Sequence, residues 1–164
     1  MLPQVVQDAL NKQIQMELAS SYAYLGMSAY CELNNFLGSA KWMQLQSDEE
    51  RGHAMKLYDF LIARGCEVKL AALDAPPRDF KSIPHVFACA LEQEHAVSES
   101  INGLYELAHQ EKAFAALVEL QWFITEQVEE EKSVREIVAK FDMLKDDPSA
   151  MLDLDRELGE RQPE

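Results

Sequence analysis

Apolar residues recur at three- and four-residue steps through four long stretches of the chain, the spacing that lines one face of an α-helix. In the first, Leu10, Ile14, Leu18, Leu25 and Ala29 keep that period between Val5 and Leu33, and Asn34-Asn35 with Gly38 closes it. A second helix is predicted from about Ser39 to Ala63, with Trp42, Leu45, Glu49, Leu57 and Phe60 on its stripe and Glu50 and His53 at the stripe's edge. Arg64-Gly65 supplies a basic last turn and a trailing glycine. Residues 66–81 contain Pro76-Pro77 and no sustained period, which predicts a long connection that lets the next helix begin at the far end of the molecule.

Ser82 is placed to cap the third helix, Pro84 sits in its first turn, and Phe87, Ala90, Leu91, Val97, Ile101, Leu104 and Ala108 form its inward stripe. The segment 109–112 turns the chain. The fourth helix then runs from residue 113 or 114 to Phe141, carrying Leu117, Leu120, Ile124, Val128, Val134, Ile137, Val138 and Phe141. Asp147-Pro148 reads as an N-cap and first helical residue of a short fifth helix ending near Leu158. No strand-like alternation and no internal repeat interrupts this pattern. The expectation is an all-α protein: one domain over residues 1–164, a four-helix bundle with a single long crossover and a short C-terminal helix.

Charge narrows the partners. With 29 acidic and 15 basic residues the formal charge is −14, which argues against nucleic acid and for cations. Cys31, Cys66 and Cys89 lack paired or CxxC spacing and read as free thiols of a reducing compartment. Met1-Leu2-Pro3-Gln4 does not open a secretory signal, and no apolar run approaches the roughly 18 residues of a membrane span. A cytoplasmic protein without membrane contact is expected.

Polar residues interrupt every one of the four stripes. Glu17 lies between Ile14 and Leu18, with Tyr24 two turns on; Glu50 and His53 stand one turn apart; Glu94 is flanked at heptad spacing by Phe87 and Ile101; Gln127 follows Ile124 by three, beside Glu126, Glu129 and Glu130. One such residue is ordinarily a boundary group with its head in water. Carboxylates and amides converging from four helices cost several kcal/mol each through desolvation and repulsion, so the set makes sense around bound cations. Oxygen-rich ligation with one imidazole suits a hard or borderline ion such as iron better than a closed zinc site. A carboxylate at each of two helices and Glu-x-x-His on a third match the di-iron bundle pattern, while Gln127-x-x-Glu130 stands where a second Glu-x-x-His belongs.

On Glu17, Tyr24, Glu49-Glu50-x-x-His53, Glu94, Trp122 and Glu126-Gln127-x-Glu129-Glu130, the chain resembles the ferritins over its whole length, most closely the bacterial non-haem ferritins. The resemblance implies a ferroxidase and iron store. Glu17, Glu50 and His53 would hold one iron, and Glu50 as bridge with Glu94 and Gln127 the second. Glu49, Glu126, Glu129 and Glu130 would form a third site, an arrangement their one-turn spacing also supports. Tyr24 would supply an electron or a hydrogen bond, and Trp122 would pack. Fe(II) would be oxidised by dioxygen or peroxide and pass as Fe(III) to a mineral inside a homo-oligomeric, twenty-four-subunit cage. The apolar residues Met151, Leu152, Leu154 and Leu158 of the fifth helix offer surface for that assembly. Haem is not expected, because Arg51 follows Glu50 where haem-binding relatives place a methionine. Leu117 and Leu120 stand where animal ferritins carry the carboxylates of a three-fold pore. A bundle oxidase with permanently retained metal, and a metal-free structural bundle, are the competing readings.

Overall fold

The computed structural model describes all 164 residues. Five α-helices make up the chain: α1 (Gln4–Leu33), α2 (Leu37–Ala63), α3 (Ile83–Gln110), α4 (Phe114–Leu144) and α5 (Pro148–Leu158). The expected elements are all present. Their ends differ by two or three residues: α2 starts before Ser39, α3 runs past Ala108, and α4 continues beyond Phe141. Backbone hydrogen bonding outlasts the apolar stripe at such ends.

The turns follow from local chemistry. Asn35 and Gly65 take left-handed φ values of 63° and 68°, conformations open to asparagine and glycine, and each reverses the chain after a helix. The Ser82 hydroxyl accepts the His85 N–H at 3.2 Å, and Asp147 accepts Ser149 and Ala150 N–H groups at 2.9 and 3.2 Å, so both predicted caps close their helices.

Pairing directions can be read from bonds between elements. Ser28 bonds the Ala40 carbonyl and Ser21 the Ser47 carbonyl, which makes α1 and α2 an antiparallel hairpin. The crossover then lies along α1 from its first half to its last turn. Asn11 holds Glu67 and Lys69, Gln15 holds Ala72, Gly26 faces Pro76, and Tyr30 meets Phe80 edge-on with ring centroids 5.2 Å apart. This path returns the chain to the far end, so α3 runs antiparallel to α1 and parallel to α2, with Ser100 bonding Gln13 and Gln93 bonding Ser20.

Two apolar clusters fill the bundle. One contains Leu10, Ile14, Leu57, Ile101, Leu120 and Phe123; the other contains Tyr24, Trp42, Met43, Phe87, Val134 and Phe141. Each large side chain contributes roughly 1.5–3 kcal/mol by leaving water. Between the clusters lies a buried layer of Glu17, Gln46, Glu50, His53, Glu94, Gln127 and Glu130.

The stripes need correction at several positions. Leu25 is 49% and Val128 62% exposed, Ala29 also faces solvent, and Leu45, Glu49 and Phe60 are only half-buried. On α2 the innermost residues are Met43, Gln46, Glu50, Ala54, Leu57 and Leu61, so Glu50 is at the centre of the buried face, not at its edge. α5 also differs from expectation: Leu154 and Leu158 are buried in the second cluster and Met151 packs against it, leaving Leu152 as its exposed apolar residue.

Candidate metal centre

Four helices deliver the buried layer because each places a polar residue at the same height of the bundle. Glu17 of α1 accepts a 2.8 Å bond from Gln13, one turn earlier, and Gln13 in turn accepts from Ser100 of α3 at 2.6 Å. Glu50 of α2 lies 3.2 Å from Nδ1 of His53 through its Oε2. Ligand atoms of Glu17, Glu50 and His53 all fall within 4.8 Å of one another. Glu17 Oε2 and Glu50 Oε1 are buried and have no hydrogen-bond partner. Orphaned carboxylate oxygens are costly in a bundle core, and two carboxylates that each carry one, gathered with an imidazole so that ligand atoms of all three fall within 4.8 Å, fit a cation held among them.

Glu94 of α3 accepts a hydrogen bond from the hydroxyl of fully buried Tyr24 and another from the Gln127 amide at 3.2 Å. The same amide nitrogen reaches Ser98 Oγ at 3.1 Å. Gln127 therefore holds Glu94 through nitrogen and leaves its own oxygen free for another partner. On α4, Glu130 accepts from Gln46 at 2.5 Å and comes within 4.0 Å of His53 Nε2. His53, Glu126 and Glu130 form a second group with ligand atoms within 4.8 Å. His53 thus stands between two clusters, one ring nitrogen toward each.

Burial dominates the electrostatics. It pushes Glu17 up to about 7 and Glu130 up to about 8, and raises Glu94. Glu50 is held well above the usual carboxylate range by burial and then by the charges of Glu94, Glu17 and Glu130. Desolvation lowers His53 to about 4, so the imidazole is neutral near pH 7 and its lone pair is available to a metal. Burial and the adjacent Glu94 raise Tyr24, which keeps its proton.

Two members of the expected third site sit differently. Glu49 is engaged by Arg161, whose guanidinium makes bonds of 2.8 and 2.7 Å to its two oxygens. Glu129 is exposed and outside both clusters. Trp122 packs edge-on to His53 at 5.3 Å, with Lys56 over its ring. Gln13, Gln46, Ser98 and Ser100 were not singled out from the sequence. Glutamines one turn before Glu17 and Glu50 on the same helical face were the available signal, whereas nothing marked Arg161 in its irregular tail.

A carboxylate and histidine layer inside a bundle with one long crossover defines the class of helical metal-carboxylate proteins. The ferritin-like domain family matches residues 7–144, and the chain belongs to the ferritin family. It is 36% identical over 161 residues to the bacterial non-heme ferritin of Staphylococcus aureus strain USA300, spanning 98% of this chain and 97% of that one. A probable bacterial non-heme ferritin-like protein of Haemophilus influenzae is 35% identical over 159 residues, covering 97% and 96%. An open pore ferritin from the hyperthermophilic archaeon Archaeoglobus fulgidus superposes with a TM-score of 0.98 at 42% identity, covering 99% of this chain and all of that one.

Proposed function

We propose that this ferritin is a ferroxidase and iron store that oxidises Fe(II) within each subunit and deposits Fe(III) inside a hollow homo-oligomeric cage. The observation that carries the reading is that Glu17 and Glu50, each with one orphaned buried oxygen, gather with a neutral His53 so that ligand atoms of all three lie within 4.8 Å. Glu17, Glu50 and His53 receive the first iron. Glu50, Glu94 and the Gln127 oxygen receive the second, with Glu50 shared.

Loading deprotonates the carboxyls, so binding releases protons to solvent. Each Fe(II) then gives one electron to a dioxygen or peroxide oxidant, and Fe(III) forms. Tyr24 fixes Glu94 by hydrogen bonding. A neutral amide at Gln127 weakens the second position and favours passage over retention. Glu49, Glu126, Glu129 and Glu130 form the onward route, with Glu126 and Glu130 already drawn up beside His53.

The whole chain acts as one ferritin-like domain. No helix is long and apolar enough to cross a membrane, and three free cysteines suit a cytoplasmic setting. Aerobic addition of Fe(II) tests the function: turnover runs well beyond two ions per chain into a soluble product, and His53→Ala slows the first rapid oxidation at least about tenfold. Unchanged initial kinetics in His53→Ala would remove the centre assigned here; binding that stops at two ions would instead mark a retained cofactor.

A further inference from the structure

After α5 the chain turns back across α2 and inserts one cationic side chain beside the metal layer. Arg161 makes a bidentate contact to Glu49 at 2.8 and 2.7 Å, donates to Gln46 Oε1 at 2.9 Å, and lies 4.6 Å from the Trp42 ring centroid. The ion pair is largely shielded, with side-chain exposures of 20% and 17%. Arg161 is also the only lysine or arginine that pairs with any carboxylate of the site; the other such pairs join Lys56, Lys69, Lys140 and Arg156 to residues elsewhere.

Its second contact continues inward. With Gln46 Oε1 taken by the guanidinium, the Gln46 amide nitrogen is turned to Glu130 Oε2 at 2.5 Å, and the other Glu130 oxygen faces His53 Nε2 at 4.0 Å. A fork-shaped, permanently charged donor fixes both partners at once, which a lysine would do less well. Glu49 is the sequence neighbour of Glu50, and both of its oxygens are taken by this guanidinium.

We infer that Arg161 is the resident counter-cation of Glu49, a positioning residue that keeps this carboxylate from metal and sets Gln46 onto Glu130 until iron leaving the centre displaces the guanidinium. The inference rests on the proposed iron centre. It makes the tail a competitor for the third cation: the first two ions load without disturbing it, and the third must exchange with it.

Anaerobic calorimetric titration with Zn(II), a redox-inert probe, counts cations on the full-length protein. Two tight ions per chain are expected for the wild type and three for Arg161→Gln, the third binding about tenfold more tightly than any third ion of the wild type. The double variant Arg161→Gln/Glu49→Gln returns to two, and Arg161→Lys, which keeps the charge but not the fork, binds a third ion more weakly than Arg161→Gln does. Oxidation of a second Fe(II) addition is faster in Arg161→Gln. Equal counts and equal second-addition rates in wild type and Arg161→Gln overturn the inference and leave Arg161 as a mechanical anchor, a role that shifts thermal stability alone. A wild type that binds no Zn(II) overturns the metal centre itself, so the two failures are distinguishable. Arg161 lies outside all five helices, and helical circular dichroism verifies that each variant is folded.

Discussion

Glu17, Glu130 and His53 pull the metal-free protein in opposite directions. The two carboxyls, near 7 and 8 when folded against 4.5 ordinarily, favour the fold in their protonated form. Their contribution is complete below pH 4.5 and is lost as pH rises through those folded values, each tenfold difference in proton affinity between folded and unfolded chain being worth roughly 1.4 kcal/mol. His53, near 4 instead of 6.5, does the reverse: its stabilisation is complete above 6.5 and fades as pH falls toward 4. Two carboxyls outweigh one imidazole, so these groups make the metal-free chain less stable on going from pH 5 to pH 8. Bound cations remove the carboxylate penalty. The gap in denaturation midpoint between Zn(II)-loaded and metal-free protein should therefore widen over that range; a gap that stays constant or narrows contradicts the assignment. At this scale most of the buried polar layer was legible, because a carboxylate between Ile14 and Leu18 or between Phe87 and Ile101 conflicts with its surroundings. The amides that steer those carboxylates were not, since glutamine on a helix carries no comparable conflict.

Among the helices, α2 carries Glu49, Glu50 and His53, and its first turn is secured by α5. Asp155 accepts the Gly38 and Ser39 N–H groups at 3.0 and 2.7 Å and the Ser39 hydroxyl at 2.7 Å, acting as an N-cap supplied from another element. The helices touch so closely that a β-carbon at Gly38 would come within 1.7 Å of the Asp155 carbonyl oxygen. Gly38→Ala should cost at least about 2 kcal/mol and expose residues beyond Leu144 to limited proteolysis. Gly103→Ala, in mid-helix with nothing within 4 Å, should gain about 0.5–1 kcal/mol. Similar denaturation midpoints for the two variants would contradict this account of α5 docking. The caps at Ser82 and Asp147 were readable because they are local to their helices. The Asp155 cap was not, because donor and acceptor lie more than a hundred residues apart.

For the whole molecule, the misassigned α1 positions Leu25 and Ala29 share an explanation. Tyr22, Leu25 and Leu33 lie exposed along one side of α1, and Leu70 and Leu73 of the crossover are exposed as well. Periodicity reports that a face is apolar, not which chain covers it, so a face intended for another subunit reads like a core face. α5, expected to supply the assembly surface, spends Leu154 and Leu158 on its own subunit. The outer side of α1 is the better candidate. Light scattering should show particles more than tenfold heavier than the 18.7 kDa chain, and Leu25→Glu should shift them to small species. A wild type that scatters as a single chain would refute the cage.

The polar layer has one more consequence. Because it separates two dry clusters, each subunit resembles two short bundles stacked end to end on shared helices, with a polar joint between them. Cations held across that joint would tie together the helices that supply its carboxylates. On the proposed function, cargo would then double as a rivet: a subunit holding iron across the joint would be stiffer than one waiting for it.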